Sequence, residues 1–199
     1  LNYLGHLYFS KEKPDLMVAN LFGDFIKGKD YSFLPKIVQE GVLLHRQIDD
    51  YVDHHPTVTE LRLHLYNELP KIAGIAIDLY FDHLLAKDWS TYHSKSLDEF
   101  VDPFLAYTKN AKNLKFNNPK YEYPQHFINL LNAISKHNLL KRYVHLDGLA
   151  MASEGLSRRI SFENNLDMAV VVFQNNEKRI EAAFEVYMKA AKLRFNVKD

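Results

Sequence analysis

The chain contains no cysteine. That absence excludes a disulfide framework, a cysteine-ligated zinc site and a cysteine nucleophile, and it fits a reducing cytoplasm. Neither sign of charge is in excess, with Lys plus Arg and Asp plus Glu at 25 each. A chain without net charge is no general polyanion binder, so nucleic acid is not an expected partner. No apolar run approaches the roughly 18–20 residues that span a bilayer, so no membrane partner is expected either. Leu1–Ser10 lacks the charged start and long apolar stretch of a secretory signal. Glycine and proline are scarce, seven each in 199 residues. No alternating strand pattern, repeat or low-complexity tract occurs.

What is present is apolar and helical. Hydrophobic residues make up 47% and aromatics 13%, enough for an ordered core without staples. The expectation is an all-α helical bundle forming a single domain over 1–199. Pro14 followed by Asp15 reads as a helix start, with Gly28 at its end. A second helix runs from Pro35, with Ile37, Gly41, Leu44, Ile48 and Tyr51 at helical spacing, until His54, His55 and Pro56 stop or bend it. Further helices are predicted over 57–70, 73–87, 97–115, 124–138, 146–160 and 165–195. The stretch Asn117–Pro124 reads as a loop.

The informative feature is where the ionisable groups sit. In LMVANLFGDFI, residues 16–26, the only polar side chains are Asn20 and Asp24, four apart and on one helix face. In AGIAIDLYFDHLLA, residues 73–86, apolar residues surround Asp78, Asp82 and His83. A bare carboxylate there costs several kcal/mol unless paired, hydrogen-bonded or bound to a cation. On the Pro35 helix His45 and Asp49 lie in the row Val38, Val42, His45, Asp49, Val52, at the edge of the core. Arg46 and Asp50 form a second pair at the same spacing. His6 is the only ionisable residue of NYLGHLYF.

Mixed imidazole and carboxylate donors suit manganese, iron, zinc or, less well, magnesium. A metal bound by them would serve hydrolysis of a phosphate ester. Each pair also has a plainer reading. His45 and Asp49 suit an ordinary helix pair, Asp78 suits a cap or an arginine partner, and His6 and Asn20 suit satisfied core groups. His54 and His55 are expected to face solvent.

The stretches NYLGHLYFS, NLFGDFIKG, GVLLHRQIDDYVDHHP, IAIDLYFDHLLAKDWS and EGLSRRI, together spanning roughly residues 2–160, resemble the acyl carrier protein phosphodiesterase family. Residues 114–123 do not match its pattern. The resemblance implies a helical fold distantly related to the HD phosphohydrolases and a divalent metal, usually manganese. It implies hydrolysis of the phosphodiester that joins 4′-phosphopantetheine to a serine of acyl carrier protein, an acidic partner. Asp24, His45, Asp49, Asp82 and His83 would then form or flank the metal centre. Arg46 would meet phosphate, and a carboxylate or histidine left unligated would act as base. Lys141, Arg142, Arg158 and Arg159 are candidates for a basic rim, and Tyr80, Phe81 and Trp89 for the groove of the pantetheine arm. Two alternatives stay open on these residues: an HD-like hydrolase of nucleotides or other small phosphodiesters, and a non-catalytic module that grips a carrier.

Overall fold

The computed structural model describes residues 1–116 and 121–197. Eleven α-helices occur among the described residues, and the sole strand-type pairing there is an isolated bridge between Lys115 and Glu122. In chain order they are α1 Tyr3–Tyr8, α2 Pro14–Phe22, α3 Lys36–His54, α4 Pro56–Leu65, α5 Ala73–Lys87, α6 Trp89–Tyr92, α7 Leu97–Lys109, α8 Gln125–Lys136, α9 Leu139–Arg142, α10 Leu146–Ser157 and α11 Ala169–Arg194. The all-α helical bundle expected from the sequence is what forms. No helix among the described residues is long and apolar enough to cross a membrane.

Helix α5 is the hub. Eleven of its residues are buried, and it packs against α1, α4, α10 and α11. An apolar surface all round is what a central helix needs. Helices α2 and α3 make the most extensive pairing. A Cβ on Gly41 would lie 2.3 Å from the Ala19 carbonyl carbon, so only glycine lets the two backbones approach this closely.

The buried stripe of α3 is Val38, Gly41, Val42, His45, Ile48 and Val52. Ile37, Leu44 and Tyr51 are only partly buried. The helix is thus rotated toward the His45 row, which enters the core instead of edging it. His55 is extended before Pro56 and ends α3, as a residue preceding proline tends to.

Some boundaries differ from expectation. Helix α2 stops at Phe22, and Gly23–Phe25 forms a 3-10 turn instead of continuing to Gly28. Helix α7 ends at Lys109, with a 3-10 turn following over Ala111–Leu114. Short helices α1, α6 and α9 carry too few periodic positions to be read from pattern alone. Of the loop expected at Asn117–Pro124, residues 117–120 lie outside the described residues, while Tyr123 is buried against Phe22 and Phe127.

Candidate metal centre

The centre begins with a short helix that cannot stand alone. Helix α1 has six residues and no side-chain cap of its own. Its free N–H groups are met by α5: the backbone N–H of Leu4, Gly5 and Asn2 donate to the Asp82 carboxylate at 2.7, 3.0 and 3.2 Å. A Cβ on Gly5 would lie 3.0 Å from Asp82 Oδ1. Burial pushes the Asp82 carboxyl up to about 7, against the Leu1 amino group and the N–H donors, which favour its ion. Asp82 therefore docks α1 onto α5, and α1 carries His6.

His6 and His45, from α1 and α3, stack with ring centroids 4.2 Å apart and planes 19° from parallel. Asn20 of α2 sits behind both. Its Nδ2 donates to the His6 carbonyl at 2.9 Å and to Ser10 Oγ at 3.0 Å, which fixes the amide orientation. Its Oδ1 then faces Nδ1 of His6 at 3.0 Å and Nδ1 of His45 at 3.3 Å. Both Nδ1 atoms donate to this single oxygen, so the neutral rings carry their lone pairs on Nε2. Those Nε2 atoms converge on Asp49: His6 lies 3.2 Å from Oδ1, and His45 lies 3.1 Å from Oδ2. Close approach of α3 depends on glycine here too, since a Cβ on Gly23 would fall 2.4 Å from His45 Cβ.

Desolvation holds the His6 ring below the ordinary imidazole value. Burial pushes the Asp49 carboxyl upward, but a positive charge shared with the facing His45 and His6 rings outweighs it and holds the group well below the usual carboxylate range. Two imidazole lone pairs thus face an ionised carboxylate at hydrogen-bond distance. That contact is repulsive unless a proton or a cation lies between. Protonating both stacked, buried rings would set two like charges against each other. One divalent cation removes the conflict. Two ligand atoms about 2.1 Å from one ion at a right angle are about 3.0 Å apart, which these separations match. His6, His45 and Asp49 together could hold a metal ion, their donor atoms all lying within 4.8 Å of one another.

The three residues open into a cavity of about 350 Å³. Asp24, Asp53 and Asp78 also line it, so its wall is rich in carboxylate. Nearly half of the Asp49 side chain, 45%, is exposed there, whereas His6 and His45 are buried.

The structure thus brings His45 and Asp49 of the expected set together, and adds His6 and Asn20, which had satisfied-core readings. Asp24 lines the same cavity from the 3-10 turn after α2; the early helix end removes it from the Asn20 face and leaves it exposed. Asp82 is engaged in capping α1. His83 points elsewhere, its Nδ1 2.6 Å from the Tyr143 carbonyl and its ring edge-on to Phe173. Arg46 does not line the cavity. It donates to the carbonyls of Gly28 and Ile26 at 2.6 and 3.2 Å and lies over the Tyr31 ring, so it braces the loop before α3. Asp50 pairs with His54 instead of Arg46.

Asp78 meets the Leu1 amino group at 2.5 Å, not an arginine. His54 is exposed as expected, but His55 is half-buried against Tyr51 and Tyr187. Tyr80, Phe81 and Trp89 are buried in the core and line no groove beside the centre. Lys141 is held between Asp98 and Asp102, Arg142 lies 3.5 Å from Asp147, and Arg158 pairs with Glu154. Arg159 pairs with no carboxylate among the described residues.

His6 was detectable as the one ionisable group in an otherwise apolar segment. That its partners would be His45 and Asp49 follows from the docking of α1 onto α5, which no local pattern shows.

Comparison with known proteins identifies a family. The profile of the family described as acyl carrier protein phosphodiesterase matches residues 1–191. A relative from Escherichia coli O6:H1 named acyl carrier protein phosphodiesterase is 30% identical over 159 residues, 80% of this chain and 79% of its own. One of the same name from Salmonella dublin is 28% identical over the same share of each chain. No solved structure matches the chain. A match along nearly the whole chain, joined to a relative of that name at 30% identity over four fifths of the chain, makes this chain a member of the acyl carrier protein phosphodiesterase family.

Proposed function

We propose that the chain is a metal-dependent phosphodiesterase that removes 4′-phosphopantetheine from holo-acyl carrier protein and leaves the apo carrier. The observation that carries this reading is the convergence of the His6 and His45 Nε2 atoms on the Asp49 carboxylate in an open acidic cavity. His6, His45 and Asp49 would hold the ion, and manganese suits this mixed donor set. A divalent cation bound there would polarise a phosphoryl oxygen and acidify water. An HD-like ancestry is consistent with histidine and aspartate ligands presented on facing helices.

The chain's own groups supply the rest. Asn20 holds both Nδ1 atoms and so keeps the Nε2 lone pairs free for an ion that His6, His45 and Asp49 would hold. Asp24, whose carboxylate has no hydrogen-bond partner among the described residues, takes the proton from the attacking water. The water oxygen forms a bond to phosphorus, the bond to the carrier serine oxygen breaks, and that oxygen takes a proton from solvent. Asp53 and Asp78 add to the acidic wall of the cavity.

The test is direct. Purified protein with manganese converts holo-carrier to apo-carrier and free 4′-phosphopantetheine, seen as a mass loss on the carrier. An unchanged carrier mass after long incubation with manganese, magnesium, iron(II) and zinc in turn refutes the reading.

A further inference from the structure

A second cavity, of about 310 Å³, abuts the acidic one. The two share Asn2, Tyr3 and Leu130 as a common wall. Their chemistry is opposite. The second is mainly apolar, lined by Leu130, Ile134, Leu139, Tyr143, Met151 and Ala152 from α8, α9 and α10 and the turns beside them. Basic groups, His137, Arg158 and Arg159, stand at its edge. The Arg158 charge is taken up by Glu154 at 3.1 Å. Arg159 is different: its Nε donates to the Gly155 carbonyl at 3.2 Å, and its Nη atoms lie 3.4 and 3.5 Å from the Tyr3 hydroxyl. Its guanidinium, with no carboxylate partner among the described residues, is thus anchored on a residue that belongs to both cavities.

Resting on the functional reading above, we infer that the second cavity receives the pantetheine arm of the substrate, and that Arg159 and Tyr3 bind the phosphoryl group where the cavities meet. Three features converge on this. A phosphodiester placed at the shared wall has the acidic, metal-holding side toward its scissile bond. The carrier protein is too large to enter either cavity, so the slender arm on the other side of the phosphorus must run away from the carrier. The second cavity adjoins that wall and offers an apolar lining to that chain. The cavity volume also falls at the low end for small-molecule sites. Tyr143 closes its inner wall as a fully buried ring, its hydroxyl already accepting from Asn2 Nδ2 at 2.9 Å. Arg159 supplies charge to phosphate by a planar fork suited to two of its oxygens.

The experiment separates the arm from the phosphate by direct binding. Free pantetheine and free 4′-phosphopantetheine are titrated by calorimetry into wild-type protein, Ala133→Trp and Arg159→Ala. Ala133 is exposed at the cavity wall, so tryptophan there obstructs the space without entering the core. Ala133→Trp should weaken both ligands at least tenfold. Arg159→Ala should weaken 4′-phosphopantetheine at least tenfold, leave pantetheine within twofold, and be partly rescued by Arg159→Lys. Manganese affinity, measured alongside, should stay within threefold in every variant, which marks an intact fold. With holo-carrier, Ala133→Trp should raise KM more than it lowers kcat.

If Ala133→Trp binds both ligands as wild type does, or Arg159→Ala weakens both equally, the inference falls even where holo-carrier is cleaved. If the binding pattern holds but no metal supports cleavage, the cavity assignment stands and the catalytic reading falls.

Discussion

Asn20 contributes a single amide oxygen to two imidazoles, and that economy makes it sensitive to change. Replacing it by alanine removes the group that orients both rings and leaves two buried Nδ1 donors without a partner. Loss of an outer partner of this kind typically costs about 10–100-fold in metal affinity. The expected outcome for Asn20→Ala is a fall in manganese affinity in that range by titration, with stability lowered by about 1–3 kcal/mol in denaturant melts. Asp49→Ala should lose more affinity than this outer-partner range, because it deletes a proposed ligand, and activity should go with it. Unfolding should not be the reason, because Asp49 is nearly half exposed at the cavity rim. Circular dichroism checks that point.

Asp82 carries a prediction of a different kind. Its carboxyl is pushed up to about 7 in the folded chain, from an ordinary value of 3.8. A group raised in this way contributes stability below about pH 4 and loses it as pH rises to about 7, where the buried ion must form. Asp82→Asn removes that dependence. The stability of Asp82→Asn relative to wild type should therefore climb by a few kcal/mol between pH 4 and 7. Paired denaturant curves across that range measure it, and a flat difference would show that the three N–H donors keep the carboxylate ionised throughout.

At the scale of elements, the centre is set by close helix contacts at glycine. Gly23 lets the end of α2 lie against His45, and a methyl there meets the ring's own Cβ and Cγ at 2.4 and 2.5 Å. Neither backbone can give way cheaply inside a packed pair. Gly23→Ala should cost about 1–3 kcal/mol and displace His45, so manganese affinity should fall with stability. Gly28 is the natural contrast. It has φ +82° in the loop after the 3-10 turn, with no atom near enough to obstruct a Cβ. Gly28→Ala should cost about 1 kcal/mol through backbone strain alone and leave metal affinity unchanged. Calorimetry and melting curves on the two variants separate crowding at the site from strain beside it. Helix α1 depends on tertiary support for the same reason: too short to persist by itself, it keeps His6 in place only while Asp82 satisfies its first N–H groups.

For the whole molecule, binding one divalent ion to the folded state alone shifts the unfolding equilibrium. At a free concentration of 100 times the dissociation constant the gain is about 2.7 kcal/mol. For a chain of this length that corresponds to a rise in Tm of about 5–10 °C. Manganese should produce such a rise in wild-type protein, a chelator should reverse it, and Asp49→Ala should show none. Differential scanning calorimetry gives all three results.

Much of this molecule could be read from local pattern. The α5 segment reads as a buried helix because it is apolar on every side, and the bounds 73–87 agree with those observed. His45 and Asp49 read as neighbours because i and i+4 share a helix face. The same rule misled for Asn20 and Asp24, because the helix ended two residues before Asp24 and the shared face ended with it. It also grouped Asp82 with His83 as ligands on the strength of burial, although burial is equally explained by capping α1 and by bonding Tyr143.

By itself, then, the amino-acid order determined the helices with long periodic faces, the all-α class, the family and the presence of costly ionisable groups on apolar segments. Periodicity and composition act over a few turns of chain, and they suffice for those features. Tertiary packing alone decided that His6 stacks on His45 over Asp49, that Asp82 is a cap, that Arg46 braces a loop and that Arg159 stands at a cavity edge. A buried charge announces that it needs a partner, but which one it finds depends on helix docking across nearly eighty residues of separation, as between Asp82 and the start of α1.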